Sequence, residues 1–187
     1  MRCSYESFRH RRTLIVGDVG VGKTGLCGKL LSDAYDLCES ITVLDFGPSN
    51  REIDGLKVGG HLIKPGCDVK RLGSDMIKTP RLTARSREEL NELADENRAI
   101  TTKLIHEYVK APTPVLFIND LSIHLQRGGL EEVLRAIWLA QTVIANGYLG
   151  KRLAEDYGSG VSAHERRNML DLVEEMDLVV NLRGEEM

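Results

Sequence analysis

The stretch "TLIVGDVGVGKTGLC", Thr13 to Cys27, decides how the rest of the chain is read. Four mostly apolar residues lead into the octet Gly17-Asp18-Val19-Gly20-Val21-Gly22-Lys23-Thr24, and a helix-compatible run follows. Glycine weakens regular structure, yet Gly17, Gly20 and Gly22 crowd together directly after Leu14-Ile15-Val16. The octet satisfies the spacing G-x-x-x-x-G-K-[ST].

A loop that binds an anion must turn successive backbone N–H groups inward at one spot, with no side chain in the way. Glycine permits that bend and the close approach of phosphate oxygens. The helix that follows begins with unpaired N–H groups and a partial positive charge, which attract the same phosphates. Lys23 is placed to reach β- and γ-phosphates as a point charge, and the Thr24 hydroxyl to ligate Mg²⁺. The backbone of Gly17, Asp18, Val19, Gly20, Val21, Gly22, Lys23, Thr24 and Gly25 is therefore the expected nucleotide-binding segment.

Outward from this stretch, strands and helices alternate. The pattern predicts strands at 13–16, 41–46, 115–119 and 177–182, with the first helix running to about Ala34. The run "VLFIN" has four consecutive apolar residues, as for a strand buried on both faces of a parallel sheet. Residues 142–146, "TVIAN", extend the preceding helix or form a further strand; their β-branched residues favour the strand. Ser86 with Glu89, and Ser162 with Glu165, have capping-box spacing. After the first box, Leu90, Leu93, Asn97, Ile100, Leu104 and Tyr108 recur at helical spacing, until Pro112 and Pro114 end the helix. A later helix carries Leu130, Val133, Leu134, Ile137 and Trp138 on one side. Gly59-Gly60 suggests the turn of a small hairpin, and 65–85 reads as loop.

The chain of 187 residues fits one domain spanning 1–187, with a basic segment at 1–12 and a glycine- and proline-rich insertion or loop at 55–85. Hydrophobic content of 42% and charged content of 28% are ordinary for a soluble globular protein. A net charge of −3 argues against bulk attraction to nucleic acid. No run approaches the ~20 apolar residues of a membrane span, and the basic start lacks the ~7–15-residue apolar core of a secretion signal. The four cysteines, Cys3, Cys27, Cys38 and Cys67, have no C-x-x-C spacing, so thiols in a reducing cytoplasm are expected.

Phosphate binding alone does not set the chemistry. A carboxylate is needed near the magnesium, at the carboxyl end of a strand beside the first. Asp45 ends "ITVLD" and Asp120 ends "VLFIND", both where an open α/β sheet places its ligand crevice. Side chains alternate along a strand, so only one of Asn119 and Asp120 is expected to face the loop, and the carboxylate is the better magnesium partner.

The octet resembles the Walker A loop of the P-loop NTPases, and the wider pattern is most similar to the RecA/KaiC-type ASCE ATPases. "ITVLDFG" is similar to their second strand, "VLFINDLS" to their Walker B strand, "TVIAN" to a strand ending in a polar sensor, and "MDLVVNL" to their closing strand. Asn119 stands where the family's Walker B aspartate falls, with Asp120 one position later. The resemblance implies a three-layer α/β fold with a mostly parallel sheet and helices on both faces. It further implies Mg²⁺-dependent binding and hydrolysis of ATP or another NTP. Catalysis would rest on Lys23, Asp45 and Asp120, magnesium on Thr24 and Asp120, and γ-phosphate sensing on Asn146. Asp45 would orient the attacking water. No arginine acting within the same chain is obvious; members of this group usually borrow one from a neighbour, which implies a homo-oligomer or a protein partner, and Arg127 and Arg166 are the candidates.

Two other classes use the same loop. A small-molecule kinase needs an acceptor pocket and a lid with arginines, for which Arg71, Arg81, Arg85 and Arg87 stand between 65 and 87. A GTPase-like switch is disfavoured because the chain contains no Asn-Lys-x-Asp and no Asp-x-x-Gly.

Overall fold

A computed structural model describes residues 4–37, 40–49, 51–53, 56–62, 69–153 and 155–183, with 51–53 and 56–58 as backbone only. Cys3, Cys38, Cys67, Pro65 and Gly66 lie outside the described residues.

A 3-10 turn, Tyr5–Phe8, precedes β1 (Arg12–Gly17) and α1 (Lys23–Asp36). Then come β2 (Ile41–Asp45), β3 (Arg51–Ile53), β4 (Leu56–Val58), β5 (Lys70–Gly73) and α2 (Pro80–Thr83). The second half runs α3 (Arg87–Lys110), β6 (Val115–Asn119), α4 (Ser122–Leu125), α5 (Leu130–Trp138), β7 (Thr142–Tyr148), α6 (Val161–Glu174) and β8 (Leu178–Leu182). Six strands form one sheet in the order β5-β2-β6-β7-β1-β8, and each pairing is parallel.

The fold is α/β, a three-layer P-loop-like arrangement, and strand alternation builds its two cores. Leu14, Val16, Leu116, Ile118, Val143 and Ala145 point to one face, into a cluster with residues of α3 through α6. Ile15, Val115, Phe117 and Ile144 point to the other, against Cys27, Leu30 and Leu31 of α1 and Tyr5 and Phe8. All residues of β2 and β6 are buried, as a strand covered on both faces requires.

Several sequence expectations change. Residues 142–146 are strand, and the strand runs on to Tyr148. The hairpin is β3–β4, turned upstream of Gly59-Gly60; Gly60 instead donates its N–H to the Pro48 carbonyl and accepts from Asn119. The stretch read as loop contains the edge strand β5, paired with β2, and α2. Ser86 does cap α3, accepting from the Glu89 N–H at 3.2 Å, but the Glu89 carboxylate turns to the Arg85 N–H. The buried seam of α3 is Leu90, Ala94, Asn97, Thr101, Ile105 and Tyr108, one position off the predicted face at Leu93, Ile100 and Leu104. Trp138 is exposed at the end of α5. The second capping box does not form, because α6 starts at Val161 after Gly160; Ser162 is already helical and Glu165 turns inward.

Candidate functional site

The turn between β1 and α1 is shaped by left-handed glycines. Gly20 and Gly22 have φ of 78° and 91°, a region that L side chains enter only with strain, and Gly22 caps α1. The first turn of α1 thus opens toward the carboxyl ends of the strands. Lys23 is buried, and its Nζ donates to the carbonyls of Gly17 (3.1 Å) and Asp18 (2.6 Å). Burial pushes its ammonium below the ordinary lysine range, while Asp120 and Asp18 pull it back.

Asp18 fastens the loop to the segment after β7. Its carboxylate accepts from the N–H groups of Val19 (2.7 Å), Lys151 (3.0 Å) and Arg152 (3.3 Å). Gly150 permits this approach, since a Cβ there would stand 2.5 Å from Asp18 Cγ. Burial alone would raise the Asp18 carboxyl; the amide donors and the charge of Arg152 outweigh it and hold the group low.

A cavity of about 260 Å³ lies in front of this turn. Val19, Gly20, Gly22, Lys23, Thr24 and Gly25 line one side, Asp120, Ser122, Ile123 and Gln126 a second, and Thr79–Leu82 of α2 a third. Tyr148 and Leu153 close it. A further cavity of about 180 Å³ shares Arg81, Tyr148 and Leu153 with the first and extends to Ser162, Glu165 and Arg166.

The end of β6 meets the loop through two residues instead of one. Asn119 Oδ1 lies 3.5 Å from Thr24 Oγ1. The strand then stops, and Asp120 takes a left-handed backbone (φ 53°) with its N–H donated to Asn146 Oδ1 at 3.2 Å. That break in strand geometry ends the alternation, so Asp120 faces the cavity as well. Burial pushes the Asp120 carboxyl up, opposed by the Lys23 ammonium; Asp45 adds to the rise and Arg81 opposes it.

Asp45 and Asn146 sit behind this front. Asp45 is wholly buried and does not line the cavity. Its carboxylate accepts from Asn119 Nδ2 (2.8 Å), Arg71 Nε (3.0 Å) and the Leu62 N–H (3.2 Å), and meets His61 Nδ1 at 3.2 Å. Asn146 donates to Asn119 Oδ1 (2.9 Å) and Cys27 Sγ (3.3 Å), also away from the cavity. Of the expected arginines, Arg127 pairs with exposed Asp95 at 2.9 Å outside the cavity wall, and Arg166 reaches only the second cavity. Arg71 is held by Asp45.

Sequence reasoning missed the far wall. The Arg81 side chain is 6% exposed, ion-paired to Glu165 at 2.8 Å, and 4.8 Å from the centroid of the Tyr148 ring. Tyr148 carried a signal: extending the "TVIAN" strand by one turn of its alternation places it at the crevice. Arg81 was named only as one of four arginines of a kinase lid, and the surrounding stretch, which has no periodicity, did not separate it from Arg71, Arg85 and Arg87.

No protein-family model matches the chain, and no curated protein matches it. Among solved structures, it is similar to the flagellar accessory protein FlaH from Methanocaldococcus jannaschii, at 8% identity and a TM-score of 0.50 over 92% of this chain and 71% of that one. A Pyrococcus horikoshii OT3 protein, studied as project PH0250, matches at 12% identity and a TM-score of 0.42, over 97% of this chain and 89% of that one. At such identity the likeness to FlaH is one of fold. Among the described residues, no helix is long and apolar enough to cross a membrane.

Proposed function

We propose that the chain is a single P-loop domain that binds a magnesium nucleoside triphosphate, ATP ahead of GTP, and hydrolyses it in the cytoplasm. The observation that carries this reading is the convergence on one cavity of the glycine turn, the start of α1, Lys23, Thr24 and Asp120. Backbone N–H groups of 18–25 and the Lys23 ammonium would hold β- and γ-phosphates. The oxygen donors Thr24 Oγ1 and Asp120 on the cavity wall, with Asn119 Oδ1 behind Thr24, suit a hard cation that also takes phosphate oxygens and water. When bound, Mg²⁺ supplies charge neutralisation at the phosphates.

The residues divide the remaining work. Asp120, a carboxylate on the cavity wall whose proton affinity is raised by burial, orients the attacking water. Asp45, placed behind Asn119, is better suited to fixing that amide than to touching water, which moves it from the role expected of it. Asn146 fixes Asn119 from the other side and reaches the phosphates only through it. Stabilisation comes chiefly from charges held in place before the reaction.

The test is phosphate release from ATP and from GTP, each with Mg²⁺, with and without nucleic acid. Release from ATP without a stimulant supports the reading; no turnover of either nucleotide counts against it. The adjoining cavity favours one second reading, a small-molecule kinase, since it offers room for an acceptor beside the phosphates. Transfer of labelled phosphate to a small molecule in place of water would select it.

A further inference from the structure

Arg81 is fixed by three contacts that use only part of its guanidinium. Nη1 donates to the Leu153 carbonyl (3.1 Å) and lies 2.8 Å from Glu165 Oε2 as an ion pair, and Nη2 donates to Glu165 Oε1 (3.0 Å). Glu165 thus grips the Nη1/Nη2 end of the fork. The ring of Tyr148 lies against the guanidinium. A guanidinium has five N–H donors in a rigid plane. Those of Nε and the outer position of Nη2 make no hydrogen bond with the described residues.

This free side edge is a two-donor fork of the geometry that grips phosphate oxygens. Arg81 lines the same cavity as Lys23, Thr24 and Asp120, from α2, whereas the glycine turn lies on the first side. Its charge acts on Asp120, which lines the same cavity. A pair serving stability alone would bury the whole fork, because an open edge forfeits hydrogen bonds in a costly environment. Here Arg81 lines the cavity, while its carboxylate partner Glu165 lines only the adjoining one.

We propose that the Nε/Nη2 edge of Arg81 is an anion subsite for the terminal phosphate of a nucleoside triphosphate, reaching it from α2 while Lys23 reaches it from the start of α1. The proposal rests on the nucleotide reading above. It places within the chain the arginine that the sequence suggested a neighbour would supply. Glu165 is then a positioning residue: it holds the end of the fork so that the side edge stays aimed. A diphosphate ends short of this edge, so the subsite separates triphosphate from diphosphate.

The experiment is calorimetric titration of the full chain with Mg²⁺ and either the β,γ-imido analogue of ATP or ADP. Arg81→Lys keeps the charge and loses the fork. It should weaken the triphosphate analogue about ten-fold or more while ADP affinity stays within about two-fold. A double variant, Arg81→Met with Glu165→Leu, replaces the buried pair by apolar groups of similar volume and guards against misfolding of the single variant. The same split is expected of it. Glu165→Gln should weaken the analogue less than Arg81→Lys does, again sparing ADP. Equal losses for both nucleotides, or no loss for either, in folded variants would overturn the proposal. Failure of the unmutated chain to bind either nucleotide would instead overturn the nucleotide reading itself, so the two failures are read from different proteins.

Discussion

The side-chain amide of Asn119 donates to Asp45 across 2.8 Å, at positions paired directly between β6 and β2. The other end of that amide, Oδ1, faces Thr24 and accepts from Asn146. Asp45 is wholly buried, and its carboxylate is held by this amide, the N–H groups of Gly47 and Leu62, His61 and Arg71. An amide at 119 lets one residue donate to a buried carboxylate and present an oxygen to Thr24 and Asn146. A carboxylate at 119 would set two like charges side by side.

Replacing Asp45 by Asn should therefore read out first as lost stability. It removes the charged partner of Arg71, which keeps some of its surface in water, so the expected loss is about 1–3 kcal/mol, below the full cost of breaking a buried pair. Chemical denaturation measures it. A variant as stable as the parent, with turnover lowered at saturating Mg²⁺, would return Asp45 to the water-orienting role.

Asp120→Asn should behave differently. The residue lines the cavity and its carboxyl is raised by burial, so removing its charge should leave the melting temperature unchanged or higher. The Mg²⁺ concentration needed for half-maximal turnover should rise. A metal titration of turnover decides it, and an unchanged midpoint would remove Asp120 from the metal site.

His124 gives the acid side of the stability profile. Burial holds it down at about 4, from an ordinary 6.5, with Thr101 Oγ1 2.8 Å from Nδ1. The unfolded chain takes up a proton here that the folded chain refuses. Stability from neutral His124 is therefore complete above about pH 6.5 and is lost as pH falls toward 4. His124→Gln should flatten the fall of melting temperature between pH 6.5 and 4. An equally steep fall in the variant would mean that other groups cause it.

Glu165 gives the opposite slope. Burial raises it from 4.5 to about 7 against the pull of Arg81, so the folded chain binds this proton more tightly than the unfolded one. The contribution is complete below about pH 4.5 and is lost as pH rises through 7. The stability of Glu165→Gln relative to the parent should increase from pH 5 to pH 8. A pH-independent difference would show that Glu165 stays ionised throughout.

How far the sequence was legible follows from the range of each signal. The glycine turn and the buried strands announce themselves locally, through backbone requirements and runs of apolar residues, and β1, α1, β2, β6 and β8 lie near where the pattern puts them. The edge strand β5, "KRLG", has no apolar run because only Leu72 is buried, so it looked like loop. Glu165 had the spacing of a cap, yet its partner is Arg81, distant in sequence and brought near only by the fold. Asp120 escaped strand alternation through a left-handed backbone that a non-glycine residue does not advertise. The glycine turn that lines the cavity was therefore legible, and the pairing of Arg81 with Glu165 and Tyr148 was not.

The most direct measurement is Mg-ATP binding by the unmutated chain and by Lys23→Ala. Lys23 spends its ammonium on two loop carbonyls, so its loss should change the melting temperature by no more than about 3 °C. Without the ammonium that faces the phosphates, affinity should fall by about 100-fold or more. Saturable binding by the parent with that loss in a folded variant is the predicted result. Equal affinity of the two proteins, or no binding by the parent, would contradict the assignment of residues 17–25 as a phosphate cradle.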